Sequence, residues 1–182
     1  MKNTVVVVFS LLTLLVSNSV AANSVHEFET KNITGEKISM EQYAGKVLII
    51  VNTASRCGFA RQLADLTQLQ EDYADKGVVV IGFPSRNFGR QELEENEAIA
   101  AYCEENFGVD FQLMTRTDVR GRNQSPLFAY LTSADNPDFT GGIRWNFEKF
   151  IVDQEGVLQR RFRSRTSPSD DDFREAIDQL LQ

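Results

Sequence analysis

The 182-residue chain carries two cysteines, Cys57 and Cys103, and a single histidine, His26. Three such side chains cannot give four Cys/His ligands to a structural zinc, and a serine or cysteine activated by imidazole would depend on His26 alone. Nucleophilic or redox chemistry therefore falls mainly on the thiols. Cys57 stands in Asn52-Thr53-Ala54-Ser55-Arg56-Cys57-Gly58-Phe59, between the apolar run Val47–Val51 and the first amphipathic segment. A sulfur at the start of a helix has its thiolate favoured by the helix dipole and by free backbone N–H groups, and Arg56 adds positive potential. The opposing reading is an inert, buried small hydrophobe. Three residues after Cys57 stands Ala60, so the C-x-x-C pair of a thiol–disulfide exchange enzyme is absent. The two cysteines could also form a structural disulfide in an exported binding or scaffold domain.

The elements that must position these thiols are legible in the hydrophobic pattern. Phe28–Met40, with the polar turn Asn32–Gly35, predicts a small hairpin. Val47–Val51 and Val78–Phe83 read as buried strands, and Leu63, Leu66, Leu69 and Tyr73 predict a helix that stops at Gly77. A loop opens at Pro84 and Gly89, followed by a short acidic helix over Glu94–Glu104 and another helix over Pro126–Leu131. Phe150–Val152 and Val157–Phe162 flank Asp153–Gly156 as a hairpin, and a last helix starts at Ser167-Pro168 with Phe173, Ala176, Ile177, Leu180 and Leu181 on one face. This order predicts a single α/β domain over residues 22–182: a thioredoxin-like, three-layer fold with a central mixed sheet flanked by helices.

Three motifs then carry a resemblance. Val51-Asn52-Thr53-Ala54-Ser55-Arg56-Cys57-Gly58 resembles the nucleophile motif of glutathione peroxidases, Gly82–Glu92 resembles their second motif, and Ile143-Arg144-Trp145-Asn146-Phe147-Glu148-Lys149-Phe150 is similar to their W-N-F-x-K-F segment. The resemblance covers about residues 26–179 and implies a cysteine-type peroxidase in which Cys57 is grouped with Gln91, Trp145 and Asn146. Two amide NH2 groups and an indole N–H can donate to a thiolate and then to a departing oxygen. Alone, these residues would read as a loop surface, a core or rim aromatic and a turn former. The resemblance further implies hydrogen peroxide or organic hydroperoxides as substrate, a part in the response to oxidative stress, and Cys103 as a resolving cysteine that closes a disulfide with Cys57. Core packing and a permanent disulfide are the other readings of Cys103. The reductant is then a thioredoxin-like dithiol protein or glutathione, and no cofactor or metal is implied. The chain departs from the family at Ser85-Arg86-Asn87, where relatives often have Cys-Asn-Gln, and at Leu93-Glu94, where Pro-Gly is usual.

The remaining features bear on place and partners. Lys2, the apolar run Val5–Val16 and Ser19-Val20-Ala21 form the three regions of a cleavable signal peptide over residues 1–21. A dozen apolar residues fall short of the roughly 20 that span a bilayer, so an exported, periplasmic or secreted protein is expected, without stable membrane insertion. The net charge of −7 argues against a nucleic-acid partner. The basic run Arg160–Arg165 reads as solvated charge on a hairpin edge, with docking of an acidic reductant as the sharper alternative. The segment between Leu131 and Ile143 is short where tetrameric relatives carry an insertion, so a monomer or weak dimer is expected.

Overall fold

The structure is a computed structural model and describes residues 22–182; the signal peptide expected over residues 1–21 lies outside them. Its centre is a five-stranded mixed sheet in the order β5-β4-β3-β6-β7. β3 (Val47–Thr53) and β4 (Val78–Pro84) run parallel, with Thr53 opposite Pro84 at their C-terminal ends. β6 (Lys149–Val152) pairs antiparallel with β3 on its other side, and β7 (Leu158–Phe162) closes that edge as a hairpin with β6. Every residue of β3 is buried, as a central strand covered on both faces requires.

The period of two along β3 divides the core. Val47, Ile49 and Val51 face α1 (Gln62–Tyr73), α2 (Asn96–Phe107) and α4 (Asp171–Asp178) through Leu63, Leu66, Ile99, Phe173 and Ile177. Leu48 and Ile50 face α3 (Pro126–Ser133) and the N-terminal segment through Leu127, Phe128, Leu131 and Met40. The result is the expected three-layer α/β arrangement, and the hairpin β1 (Glu29–Lys31) with β2 (Lys37–Ser39) flanks it. Among the described residues no helix is long and apolar enough to cross a membrane.

Four details depart from the sequence reading. The two-residue strand β5 (Gln112–Leu113) was not anticipated. It packs so closely on β4 that a Cβ at Gly82 would lie 2.8 Å from the Leu113 side chain, a distance only glycine permits. α4 begins at Asp171 rather than at Ser167-Pro168, because the Asp170 carboxylate accepts from the Ser167 amide and holds those residues in a turn. α1 begins five residues beyond Cys57, at Gln62, so turns separate the sulfur from the helix proper.

The fourth departure is the basic run, which is not a solvated edge. Arg161 is fully buried and donates to Glu148 Oε2 at 2.9 Å, Arg163 donates to Glu148 Oε1 at 2.6 Å, and Arg160 pairs with Asp138. The guanidinium of Arg161 also stacks near the Phe139 and Phe150 rings, 4.7 and 4.8 Å from their centroids. Acids from other loops neutralise these charges, so only Arg165 of the arginines in the run remains exposed.

Candidate active site

Parallel pairing of β3 and β4 delivers their following loops to the same end of the sheet, where open α/β folds place their ligands. After β3 the chain turns through Ala54–Arg61. The Cys57 amide donates to Ala54 O at 3.2 Å, the Ala60 amide donates to Cys57 O at 2.9 Å, and the Phe59 amide donates to the Cys57 sulfur at 3.5 Å. Cys57 is 6% exposed. The sulfur thus receives a backbone N–H from a turn, the role expected of the helix end. Cys57 and Cys103 are both free thiols.

The loop after β4 carries Gln91. Gly89 and Arg90 both take positive φ, +60° and +53°, and two consecutive left-handed residues bend the chain sharply enough to face Gln91 toward the nucleophile turn. The Arg56 amide donates to Gln91 O at 2.9 Å, which ties that loop to the residue preceding the thiol.

Trp145 and Asn146 arrive from the segment before β6, and the residue that holds them is Asn52. Its Nδ2 donates to Trp145 O at 3.1 Å, its carbonyl accepts from the Phe147 amide at 2.6 Å, and its Oδ1 accepts from the Glu148 amide at 3.0 Å. Sequence reading placed Asn52 in the nucleophile motif without giving it a role. An amide at the end of a fully buried apolar strand is the signal that it has one, since buried polar groups persist where they are paired. Phe147, at φ +65°, is with Arg90 one of two non-glycine residues in left-handed backbone among the described residues. That both such residues adjoin Gln91 and Asn146 fits the tendency of strain to collect at functional sites.

The two arms meet at a side-chain bond: Asn146 Nδ2 donates to Gln91 Oε1 at 3.1 Å. Gln91 accepts through its oxygen, so its NH2 is not used in this bond. Asn146 is buried, whereas Trp145 is 40% exposed and leans on Phe88, with ring centroids 5.8 Å apart. Of the four residues expected to be grouped, Gln91 and Asn146 touch directly, Trp145 is joined to Asn146 by the chain, and Cys57 is joined to Gln91 through Arg56. None of the three donors hydrogen-bonds the Cys57 sulfur among the described residues. Beside Trp145 an open depression of about 360 Å³ is lined by Phe59, Arg144, Arg163 and Arg165 among others.

Lys149 supports this segment from beneath. It is fully buried and donates to Phe147 O and Thr166 O, both at 2.7 Å. Burial lowers its pKa to about 7, against the pull of Asp170, Glu148 and Asp65. A base with its folded pKa below 10.5 makes the unfolded state bind more protons between the two values, so stability rises with pH there. Above pH 9 Cys103, raised by burial to about 11, acts in the opposite direction. Unfolding free energies from denaturant melts are therefore expected to increase from pH 7 to 9, by up to about 1.4 kcal/mol per unit, and Lys149→Met is expected to remove most of that slope. A flat wild-type profile would show that Lys149 keeps its proton.

A cysteine at the C-terminal end of a central strand, on this three-layer scaffold, marks a thiol-dependent oxidoreductase of thioredoxin fold. The chain belongs to the glutathione peroxidase family: the family model described as glutathione peroxidase matches residues 25–132. It is 43% identical over 158 residues to the glutathione peroxidase homolog BsaA of Halalkalibacterium halodurans, covering 87% of this chain and 99% of that protein. It is 44% identical over 161 residues to the glutathione peroxidase-like peroxiredoxin 2 of Saccharomyces cerevisiae, covering 87% of this chain and 95% of that one. Among solved structures, GPX1 of T. cruzi superposes with a TM-score of 0.71 at 29% identity, over 87% of this chain and 96% of that chain. The protein is thus a thiol peroxidase, an enzyme acting on a peroxide with a thiol reductant, and the scaffold reading is set aside.

Proposed function

We propose that Cys57 is the peroxidatic thiol, that Gln91, Trp145 and Asn146 donate to it and to the departing oxygen, and that Cys103 resolves the oxidised state. The thiolate attacks the terminal peroxide oxygen, water or an alcohol leaves, and Cys57 becomes a sulfenic acid. Cys103 then closes a disulfide, which an external dithiol reduces by exchange. The observation that carries this reading is the pairing of Asn146 with Gln91 together with the Arg56 bond to Gln91, which link the separate motifs next to one thiol.

The character of α2 supports the resolving role. Of its 12 residues only Ile99 and Cys103 are buried, and it has no side-chain N-cap. Helices anchored so lightly open at low cost, and opening would carry Cys103 toward Cys57. Expected substrates are hydrogen peroxide and organic hydroperoxides, with a part in the response to oxidative stress. The signal-like N-terminus favours a periplasmic or secreted location, where a thioredoxin-like domain rather than glutathione is the fitting reductant. The short Leu131–Ile143 segment favours a monomer or weak dimer.

Cys103→Ser separates the two half-reactions. The first reduction of peroxide should proceed at nearly the wild-type rate and recycling by a dithiol protein should stop, so that product appears as one burst. Wild-type cycling by the variant, in a steady-state assay comparing dithiol protein with glutathione, would make Cys103 a packing residue.

A further inference from the structure

The resolving reaction needs a thiolate, and the surroundings of Cys103 oppose one. The side chain is 1% exposed, and burial raises it to about 11, which leaves on the order of one thiolate in ten thousand at pH 7. A base within reach would remove this obstacle.

Two groups without another assigned role stand there. The Ser55 hydroxyl lies 3.7 Å from Cys103 Sγ, and Ser55 is 2% exposed. Glu92, 3% exposed, accepts the Ser55 amide at 3.1 Å and the Leu93 amide at 2.8 Å, both on Oε1. Its Oε2 is buried and has no hydrogen-bond partner. A buried carboxyl with one oxygen unused is costly, and its free lone pairs are the kind of site that takes up a proton.

We propose that Ser55 and Glu92 form a proton relay for Cys103, the hydroxyl accepting the thiol proton and, on rotating from Cys103 toward the unpaired Glu92 oxygen, passing its own to the carboxylate. This rests on Cys103 being the resolving thiol. The Cys103 S–H bond breaks, and the thiolate attacks the Cys57 sulfenic sulfur. The S–S bond forms as the S–O bond breaks, and the departing hydroxide takes the proton held on Glu92 and leaves as water. The Cys57 sulfur is reduced and the Cys103 sulfur oxidised, so one sulfenic acid and one thiol give one disulfide and one water without a further reactant. Burial pushes the Glu92 carboxyl above the usual range, partly offset by the Ser55 side chain, the two amides and the charge of Arg116. A carboxyl raised in this way is a better proton acceptor near neutrality. A thiolate formed in that pocket is poorly solvated, so proton transfer also favours release of the lightly anchored α2.

The charged groups bearing on Glu92 are Arg116, from the loop after β5, and the Cys103 thiol of α2. Glu92 is the carboxyl of this set, so it sets the profile. Disulfide closure is measured by rapid quench and mass spectrometry after one equivalent of peroxide, from pH 5 to 9, apart from the rate of Cys57 oxidation. In the wild type, closure should rise through the carboxyl titration and level off. In Glu92→Gln and Ser55→Ala it should be at least tenfold slower at pH 7 and climb about tenfold per unit. Should Glu92→Gln not fold, Ser55→Ala, which removes one oxygen, carries the test. A wild-type profile in the variants, or a uniform slowing with the same pH shape, overturns the relay. Wild-type recycling by Cys103→Ser overturns the resolving role instead, so the two failures are distinguishable.

Discussion

Replacing Cys57 by serine is expected to lower peroxide reduction by at least about a thousandfold and to leave the fold unchanged. Serine has nearly the size of cysteine, and the turn is held by backbone bonds from Cys57 to Ala54 and from Ala60 to Cys57, which the substitution retains. What changes is the nucleophile. A hydroxyl has no accessible anion near neutrality and no adjacent imidazole to activate it, since the lone histidine, His26, lies in the N-terminal segment beside Gly156. Stopped-flow peroxide consumption with a circular dichroism control checks this. Turnover above a few per cent of wild type, in a folded variant, would move the chemistry away from Cys57.

The second large effect concerns stability. Glu148 is fully buried and accepts from Arg161, Arg163 and the Arg144 amide. Glu148→Leu would leave the Arg161 guanidinium buried without its carboxylate, and breaking one side of such a pair costs roughly 3–5 kcal/mol. For a domain of this size that corresponds to a Tm lower by about 6–20 °C. Combining it with Arg161→Met should recover most of the loss, because removing both charges abolishes the desolvation penalty along with the attraction. Calorimetry on the two variants decides the matter. A single-variant loss below about 1 kcal/mol would show that water reaches Arg161.

The contrast between these two sites explains what the sequence could disclose. β3, α1 and the hairpin β6–β7 were legible because their cause is local: a continuous apolar run rich in β-branched residues, a helical repeat of leucines, a polar tetrapeptide between apolar runs. The place of Cys57 after β3 was legible for the same reason, and the meeting of Gln91 with Asn146 through their motifs. The ion network was not, since Glu148 stands 13 residues before Arg161 and Asp138 stands 22 before Arg160, and nothing in a linear pattern pairs them. β5 escaped notice because two residues have no period, and its place is set by Gly82 across the sheet. Asn52, Ser55 and Glu92 are buried polar groups whose partners come from other loops, so their roles emerge only once β3, β4 and β6 lie side by side.

Asn52 has a consequence for the order in which the protein acquires its chemistry. A nascent chain that has reached only residue 132 already contains Cys57, Gln91 and Cys103, yet neither the indole nor the second amide of the proposed donor set. Those are supplied when the remaining 50 residues are made and β6 aligns along β3, where Asn52 takes hold of Trp145, Phe147 and Glu148. Until then the thiol lacks two of the three donors proposed for it. On that proposal, an unfinished or truncated copy is expected to react more slowly with peroxide than the completed polypeptide.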